Sequence, residues 1–558
     1  MTKKKGHSTN LQELFELIKK AHFTKKLYIP CILFFLFMKV QVYSQSDSNY
    51  IWWNPATHST NTIEGQGWPN NVVSTYDRLP KKAENTVRED VWNLSQNAAG
   101  LLIRFSSNAE NIKIRYKIKE DYIAMSHMPA TGVSGLDLYS KSSDGKWLWN
   151  QGKFSFGDTI QYHYKNIVPK ESYHKVGSEY HLYLPLYNSL EWLEIGVLEN
   201  DLFKPLALRK EKPIVVYGTS IAQGGCASRP GMAWTSILER KMDRPLINLG
   251  FSGNGRLEEE LIDLICEIDA KIYVLDCLPN LKPNKTRSLE DVGQRIISAV
   301  KKIRKNHPTT PILLVEHPAD RNGATNMDLD NYKGDLNRKT RETISYLKDS
   351  GVTNIHLLSK AEINLNINDF VDGNHPSDMG MMKYALAYEK SIRKIIHEPI
   401  GDSSTTIPVT QNRDADVYDW QQRHQKLLQV NKENPPKICL IGDSITHYWG
   451  GNSIDSLNSG EDSWGKITDT LSVGNFGFGW DYIENALWRV YHDELDGFEA
   501  EQVVIMIGTN NLETHSDKEI IEGLEILIQA IVKRQPNAKI LLAGILPRQG
   551  REEQIHNL

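Results

Sequence analysis

The chain has 558 residues, a formal charge of -4, 40% hydrophobic and 24% charged residues. That length exceeds one ordinary domain, and the balance is that of globular protein able to bury several cores. The small net charge, with no long basic tract after residue 45, excludes the electrostatic footprint of a nucleic-acid binder.

At the N-terminus, Lys25 and Lys26 precede an apolar run from Leu27 to Met38, followed by Val42-Tyr43-Ser44. This pattern reads as a secretory signal peptide, residues 1–44, cut before Gln45. A membrane anchor is the competing reading. The apolar run is short for a span of about 20 residues and Lys39 interrupts it, so no stable span is expected after cleavage. The expected location is secreted or periplasmic. Cys31 leaves with the signal, and Cys226, Cys266, Cys277 and Cys439 remain. These four do not make a disulfide framework, though a secreted location permits a disulfide, and no Cys-x-x-Cys or clustered His suggests zinc.

Residues 46–205 read as all-β. Ile112–Ile118 alternates apolar and charged residues, the period-two pattern of a half-buried strand. Residues 101–105, 180–186 and 192–197 are further strand candidates between turns, and together they suggest a β-sandwich. Trp147, Trp149 and Trp192 could stack on sugar rings, but core packing is the economical assignment.

From Lys212 the pattern changes. Short apolar runs at 214–217, 246–249, 272–275, 312–315 and 355–358 alternate with helical stretches near 231–241, 257–266, 288–305, 330–349 and 377–397. Residues 210–398 are therefore expected to fold as an α/β domain, a parallel sheet with helices on both faces. Residues 399–415 read as a linker before a lead-in helix at 416–431, giving a connecting stretch of 399–434. The α/β pattern then restarts over 435–558, with strands at 437–441, 503–507 and 540–543.

The chemistry-bearing residues lie after the strands of the first α/β unit. Ser220, in Gly218-Thr219-Ser220, sits where a strand turns into a helix and its hydroxyl is exposed for attack on a carbonyl. Gly253, in a tight glycine turn, can aim a backbone N–H at a developing oxyanion. Asn280 can aim a side-chain amide at the same point. Asp372-Gly-Asn-His375 places an aspartate where it can orient a histidine that takes the serine's proton and returns it to the leaving alcohol. The expected catalytic set is Ser220, Asp372 and His375, and the expected oxyanion hole is Ser220, Gly253 and Asn280. Arg229 and Glu316-His317 are candidates for the substrate cleft, with an ordinary structural role the simpler reading of each. Cys226 and Cys277 fall on loops at the same sheet edge, where two buried thiols are favoured over a disulfide. No metal or cofactor is expected.

Gly-x-Ser, Gly, Asn and Asp-x-x-His, in this order and each after its own strand, resemble the SGNH (GDSL-type) hydrolases. The resemblance implies a flavodoxin-like α/β fold and a carboxylic ester hydrolase over 210–398. It departs from many members at Asp276-Cys-Leu-Pro-Asn280, which keeps the asparagine. The segment His127–Gly135 resembles the N-terminal sandwich of secreted bacteroidete members. The second unit resembles the platelet-activating-factor acetylhydrolase branch. Ser444 stands in its Gly-Asp-Ser block and Asn510 in its Gly-Thr-Asn block, while Trp480 occupies the expected oxyanion glycine position. An Asp-x-x-His pair at the first unit's spacing would fall beyond Leu558, so this unit is expected to be incomplete and inactive unless another chain completes it. The resemblance, with the secreted sandwich-bearing architecture, implies a serine esterase acting on O-acetylated carbohydrate. The rivals are a lipid or small-acyl esterase and a non-catalytic glycan-binding protein with degenerate hydrolase units.

Overall fold

A computed structural model describes residues 49–169, 171–318, 327–451 and 458–558. The expected signal segment, 1–44, lies outside the described residues. No helix among those described is long and apolar enough to cross a membrane.

Alternation of apolar and polar residues builds two antiparallel sheets. One includes Leu190–Leu198, Ile112–Ile118, Ile160–Tyr164 and Gly152–Ser155 in that order; the other runs Phe203–Pro205, Leu102–Ser107, Ser178–Tyr183, Asp137–Lys141, Trp147–Asn150. Ile112, Ile114 and Tyr116, the inward set of one strand, pack with Ile103, Phe105, Leu182 and Leu193 between the sheets.

Next comes a five-stranded parallel sheet in the order Leu246–Gly250, Ile214–Gly218, Ile272–Asp276, Ile312–Val315, Ile355–Leu358. The strands are buried along both faces, which is why each reads as a continuous apolar run. Val215, Tyr217 and Tyr273 face Val292, Ile296 and Ile303 on one side. Ile214, Val216 and Val274 face Trp234, Leu238 and Tyr388 on the other. The strand order reverses direction beside Ile214–Gly218, and the carboxyl end of that strand is where such folds place a site.

A second parallel sheet repeats the pattern as Val473–Gly477, Ile438–Gly442, Gln502–Met506, Lys539–Leu542. The repeat extends to side chains. Asn248 Oδ1 accepts the Gly250 N–H at 2.8 Å, and Asn475 Oδ1 accepts the Gly477 N–H at 2.9 Å. The strand Val473–Gly477 is absent from the sequence reading because two of its five residues are glycine, the signature of a turn.

The linker expected over 399–415 is corrected. Thr405, Thr406, Thr410 and Gln411 are buried. Thr405 donates to the Glu519 carbonyl at 2.5 Å, and Gln411 donates to Asp481 at 3.0 Å. Their polar side chains suggested solvent; instead Thr405 and Gln411 bond backbone and carboxylate groups of the second unit, and Thr406 bonds the Ser403 carbonyl at 2.5 Å.

The sandwich is joined to the first sheet by Arg78, which is fully buried. Its guanidinium donates to the carbonyls of Leu94 (2.6 Å), Asn97 (2.8 Å), Asn248 (3.1 Å) and Gly250 (2.8 Å), and lies over the Phe251 ring. Burial pushes its pKa down to about 9. One arginine thus ties the sandwich to the strand Leu246–Gly250 and to Phe251 just beyond it.

Candidate active site

Thr219 leaves the first strand in an extended conformation and caps the short helix Ser220–Gln223 through its hydroxyl, which accepts the Ile221 N–H. That turn places the Ser220 side chain at the sheet's carboxyl edge. Gly224 (φ +109°) ends the helix, and the N–H groups of Gly224 and Gly225 both bond the Ser220 carbonyl, at 3.0 and 2.7 Å. A Cβ on Gly225 would stand 3.0 Å from the Tyr187 hydroxyl and 3.2 Å from His375 Cδ2. Glycine here makes room for the histidine ring.

Ser220 Oγ lies 2.8 Å from His375 Nε2. His375 Nδ1 lies 2.7 Å from Asp372 Oδ2, while Asp372 Oδ1 accepts the backbone N–H groups of Asn374 (2.9 Å) and His375 (2.7 Å). Partial burial works to raise the Asp372 pKa, but the donors from His375 and Asn374 outweigh it and hold the carboxyl below its usual range. An ionised Asp372 fixes the tautomer that leaves Nε2 able to accept the serine proton.

Three donors follow the carboxyl ends of three neighbouring strands. The N–H of Ser220, at the first helical position, and that of Gly253 make no hydrogen bond among the described residues. Gly253 reaches this pose with φ +70°. Asn280 accepts the Gly255 N–H at its Oδ1, 3.1 Å, and its NH2 makes no hydrogen bond among the described residues. Two backbone donors and one side-chain donor suit a carbonyl oxygen that gains negative charge.

Beside this cluster lies a carboxyl that sequence reasoning passed over. Asp276 is fully buried at the end of the third strand, and Tyr388 donates to its Oδ2 at 2.9 Å. Burial pushes its pKa up to about 7, against the opposing effect of the tyrosine hydrogen bond.

His127, exposed on the sandwich, brings its ring centroid to 5.9 Å from that of His375. Its neighbour Thr131 donates to the Ser228 carbonyl at 2.7 Å, fixing the sandwich loop against the nucleophile loop. The segment His127–Gly135 carries a family resemblance, but one sequence offers no signal that it reaches the histidine.

Two candidate cleft residues are occupied elsewhere. Arg229 is paired with the buried Asp137 of the sandwich and lies over the Trp149 ring. Trp149 donates to the same aspartate at 2.6 Å, so this tryptophan braces an inter-sheet joint rather than a core. His317 is 1% exposed, and burial with the charges of Lys333 and Lys360 holds its pKa down to about 3. Its neighbour Glu316 is paired with Arg341 and accepts the Lys360 N–H at 2.8 Å. Cys226 and Cys277 are both unbridged and buried.

In the second unit, Ser444 begins a helix capped by Asp443, as Ser220 does after Thr219. Trp480 adopts φ +62°, the backbone conformation of Gly253, so the turn is retained despite the bulky side chain. Asn510 differs from Asn280: its amide donates to the Asp481 carbonyl at 3.0 Å. His447, in the helix after Ser444, is buried, and its Nδ1 accepts the Gly479 N–H at 3.0 Å.

Residues 211–393 match the GDSL-like lipase/acylhydrolase family, as do residues 440–557 in a second model of that description. Residues 50–203 match the N-terminus of SGNH-hydrolase-type esterases. A crystal structure described as a GDSL-like lipase from Bacteroides ovatus is 30% identical, with TM-score 0.56, covering 62% of this chain and 98% of that one. The chain belongs to the SGNH (GDSL-like) family of carboxylic ester hydrolases. Platelet-activating factor acetylhydrolase IB subunit alpha2 from rat is 32% identical over 129 residues, which is 23% of this chain and 52% of the relative. The alpha1 subunit from rat is 30% identical over the same length. The chain thus spans about half the length of the curated relatives it matches.

Proposed function

We propose that the protein is a secreted serine esterase that removes O-acetyl groups from carbohydrate, with Ser220 as nucleophile. The observation that carries the reading is the relay Asp372–His375–Ser220, joined by contacts of 2.7 and 2.8 Å. Ser220 Oγ attacks the ester carbonyl while His375 Nε2 takes its proton. The carbonyl oxygen collects charge against the N–H groups of Ser220 and Gly253 and the Asn280 amide. His375 then gives the proton to the departing alcohol, leaving an acyl-serine that water hydrolyses by the same steps. Asp372, ionised, stabilises the imidazolium formed in between.

The acetyl group is supported by the acetylhydrolase relatives. The carbohydrate rests on the resemblance to secreted members that carry this N-terminal sandwich. The same relatives favour a small-acyl or lipid acetylesterase as a second reading. Purified protein would be assayed for acetate release from acetylated xylan, acetylated pectin and an aryl acetate, beside Ser220→Ala. Release from polysaccharide by the parent alone supports the proposal. Release from the aryl ester but from neither polysaccharide moves the substrate to the second reading, and equal rates in both proteins remove Ser220 from catalysis.

A further inference from the structure

The Ser220–His375–Asp372 relay has a fourth neighbour that hydrolysis does not use. Cys226 follows Gly224-Gly225 on the nucleophile loop and is 6% exposed. Its backbone is held at φ +74°, a left-handed conformation that costs a residue with a Cβ about 1 kcal/mol or more. Sγ, one nitrogen of His375 and one carboxylate oxygen of Asp372 all lie within 4.8 Å of one another. Burial, with the nearby Asp372 charge, pushes the thiol up to about 12, which disfavours the thiolate that alkylation and oxidation require. A catalytic or redox role therefore does not suit it.

A metal does. One thiol, one imidazole and one carboxylate are the ligand types of zinc, with one tetrahedral position left for water. Ligand atoms around zinc stand about 3.3–3.8 Å apart, given bonds of about 2.0–2.3 Å. The widest separation, up to 4.8 Å, must close by roughly 1 Å, and the 2.7 Å His375–Asp372 contact must open slightly to admit the ion. A thiolate ligand selects soft cations over magnesium or calcium.

From this geometry we infer that Cys226, His375 and Asp372 form a binding site for a thiophilic divalent cation such as zinc, and that its occupation switches off hydrolysis at Ser220. The inhibitory part rests on the role proposed above for His375. On binding, the Cys226 S–H proton leaves to solvent and the sulfur lone pair, an imidazole lone pair and a carboxylate oxygen fill the metal's coordination shell. No electrons are transferred. Whichever ring nitrogen the metal takes, the relay is lost: Nε2 accepts the Ser220 proton, and Nδ1 is the atom Asp372 orients. Removing the metal restores the relay.

The test pairs calorimetry with kinetics on the purified chain, the Cys226→Gly variant and the Cys226→Ser variant. Glycine suits the φ of this position, and serine preserves shape while offering a poor zinc ligand. Zinc chloride is the probe, with magnesium chloride as the hard-cation control. The parent is expected to bind one more equivalent of zinc than either variant. Its aryl acetate hydrolysis, relative to its own uninhibited rate, should be halved at a zinc concentration at least about tenfold lower than theirs. Inhibition should reverse with chelator and deepen from about pH 6 to about pH 8, because the thiol proton must leave. Identical isotherms and identical inhibition in the parent and both variants overturn the site, as does equal inhibition by magnesium. If the chain hydrolyses no ester, the calorimetric difference still decides the metal site and the esterase reading falls alone.

Discussion

At the scale of single residues, the relay makes distinct demands on its members. Ser220→Ala removes the nucleophile and should lower aryl acetate turnover by about 10³-fold or more, with folding unchanged by circular dichroism. Asp372→Asn keeps the shape but loses the charge that selects the His375 tautomer, so turnover should fall by roughly 10²–10⁴-fold. Asp276 gives a pH signature of a different kind. Its folded pKa of about 7 lies above the usual carboxyl value, so the folded state keeps a proton that the unfolded chain releases. Stability from this group is full in acid and is lost as pH rises from about 4 to about 7, a change of up to roughly 4 kcal/mol. Asp276→Asn should flatten that fall: the Tm difference between variant and parent should be greater at pH 8 than at pH 4.5. Equal differences at the two pH values would show that Asp276 ionises normally.

At the scale of elements, the loop Gly224-Gly225-Cys226 decides whether His375 can reach Ser220. Gly225→Ala places a methyl 3.2 Å from His375 Cδ2, tighter than the ring tolerates without moving. A displacement of a few tenths of an ångström should cost about tenfold in kcat with a smaller change in KM, read by steady-state kinetics. The strands that carry the site were legible because each is buried on both faces and reads as an apolar run. Ser220, Asp372 and His375 stood out because strand-turn and loop chemistry confine such residue types to a sheet edge. Cys226 was placed at that edge, but its approach to His375 and Asp372 was not legible, nor was that of His127, because these depend on a left-handed turn and on a loop of another unit. Val473–Gly477 was lost to its glycines, and 399–415 to polar side chains whose partners are buried.

At the scale of the whole molecule, the sandwich is part of the hydrolase's frame. Arg78 donates to four backbone carbonyls, two of them, Asn248 and Gly250, on the strand leading to the Gly253 turn. Arg78→Ala would strand these carbonyls in a dry interior at a cost of about 3–5 kcal/mol. Thermal unfolding should shift down accordingly, and any protein that still folds should lose turnover because the Gly253 N–H drifts. Arg209 links Glu64 of the sandwich to Glu239 of the α/β unit, and Trp488 of the second unit donates to Asp243 at 3.0 Å. These joints explain why the sequence's three-part organisation coexists with a single compact unit from Trp52 to Leu558.

The central claim is that hydrolysis runs through Ser220 and not through the better-spelled motif at Ser444. Reaction of the parent with a fluorophosphonate, followed by peptide mass spectrometry, tests it most directly. The relay predicts a single stoichiometric adduct on the peptide containing Ser220, coincident with loss of esterase activity and absent from Ser220→Ala. An adduct on Ser444, or labelling that survives Ser220→Ala, would contradict it.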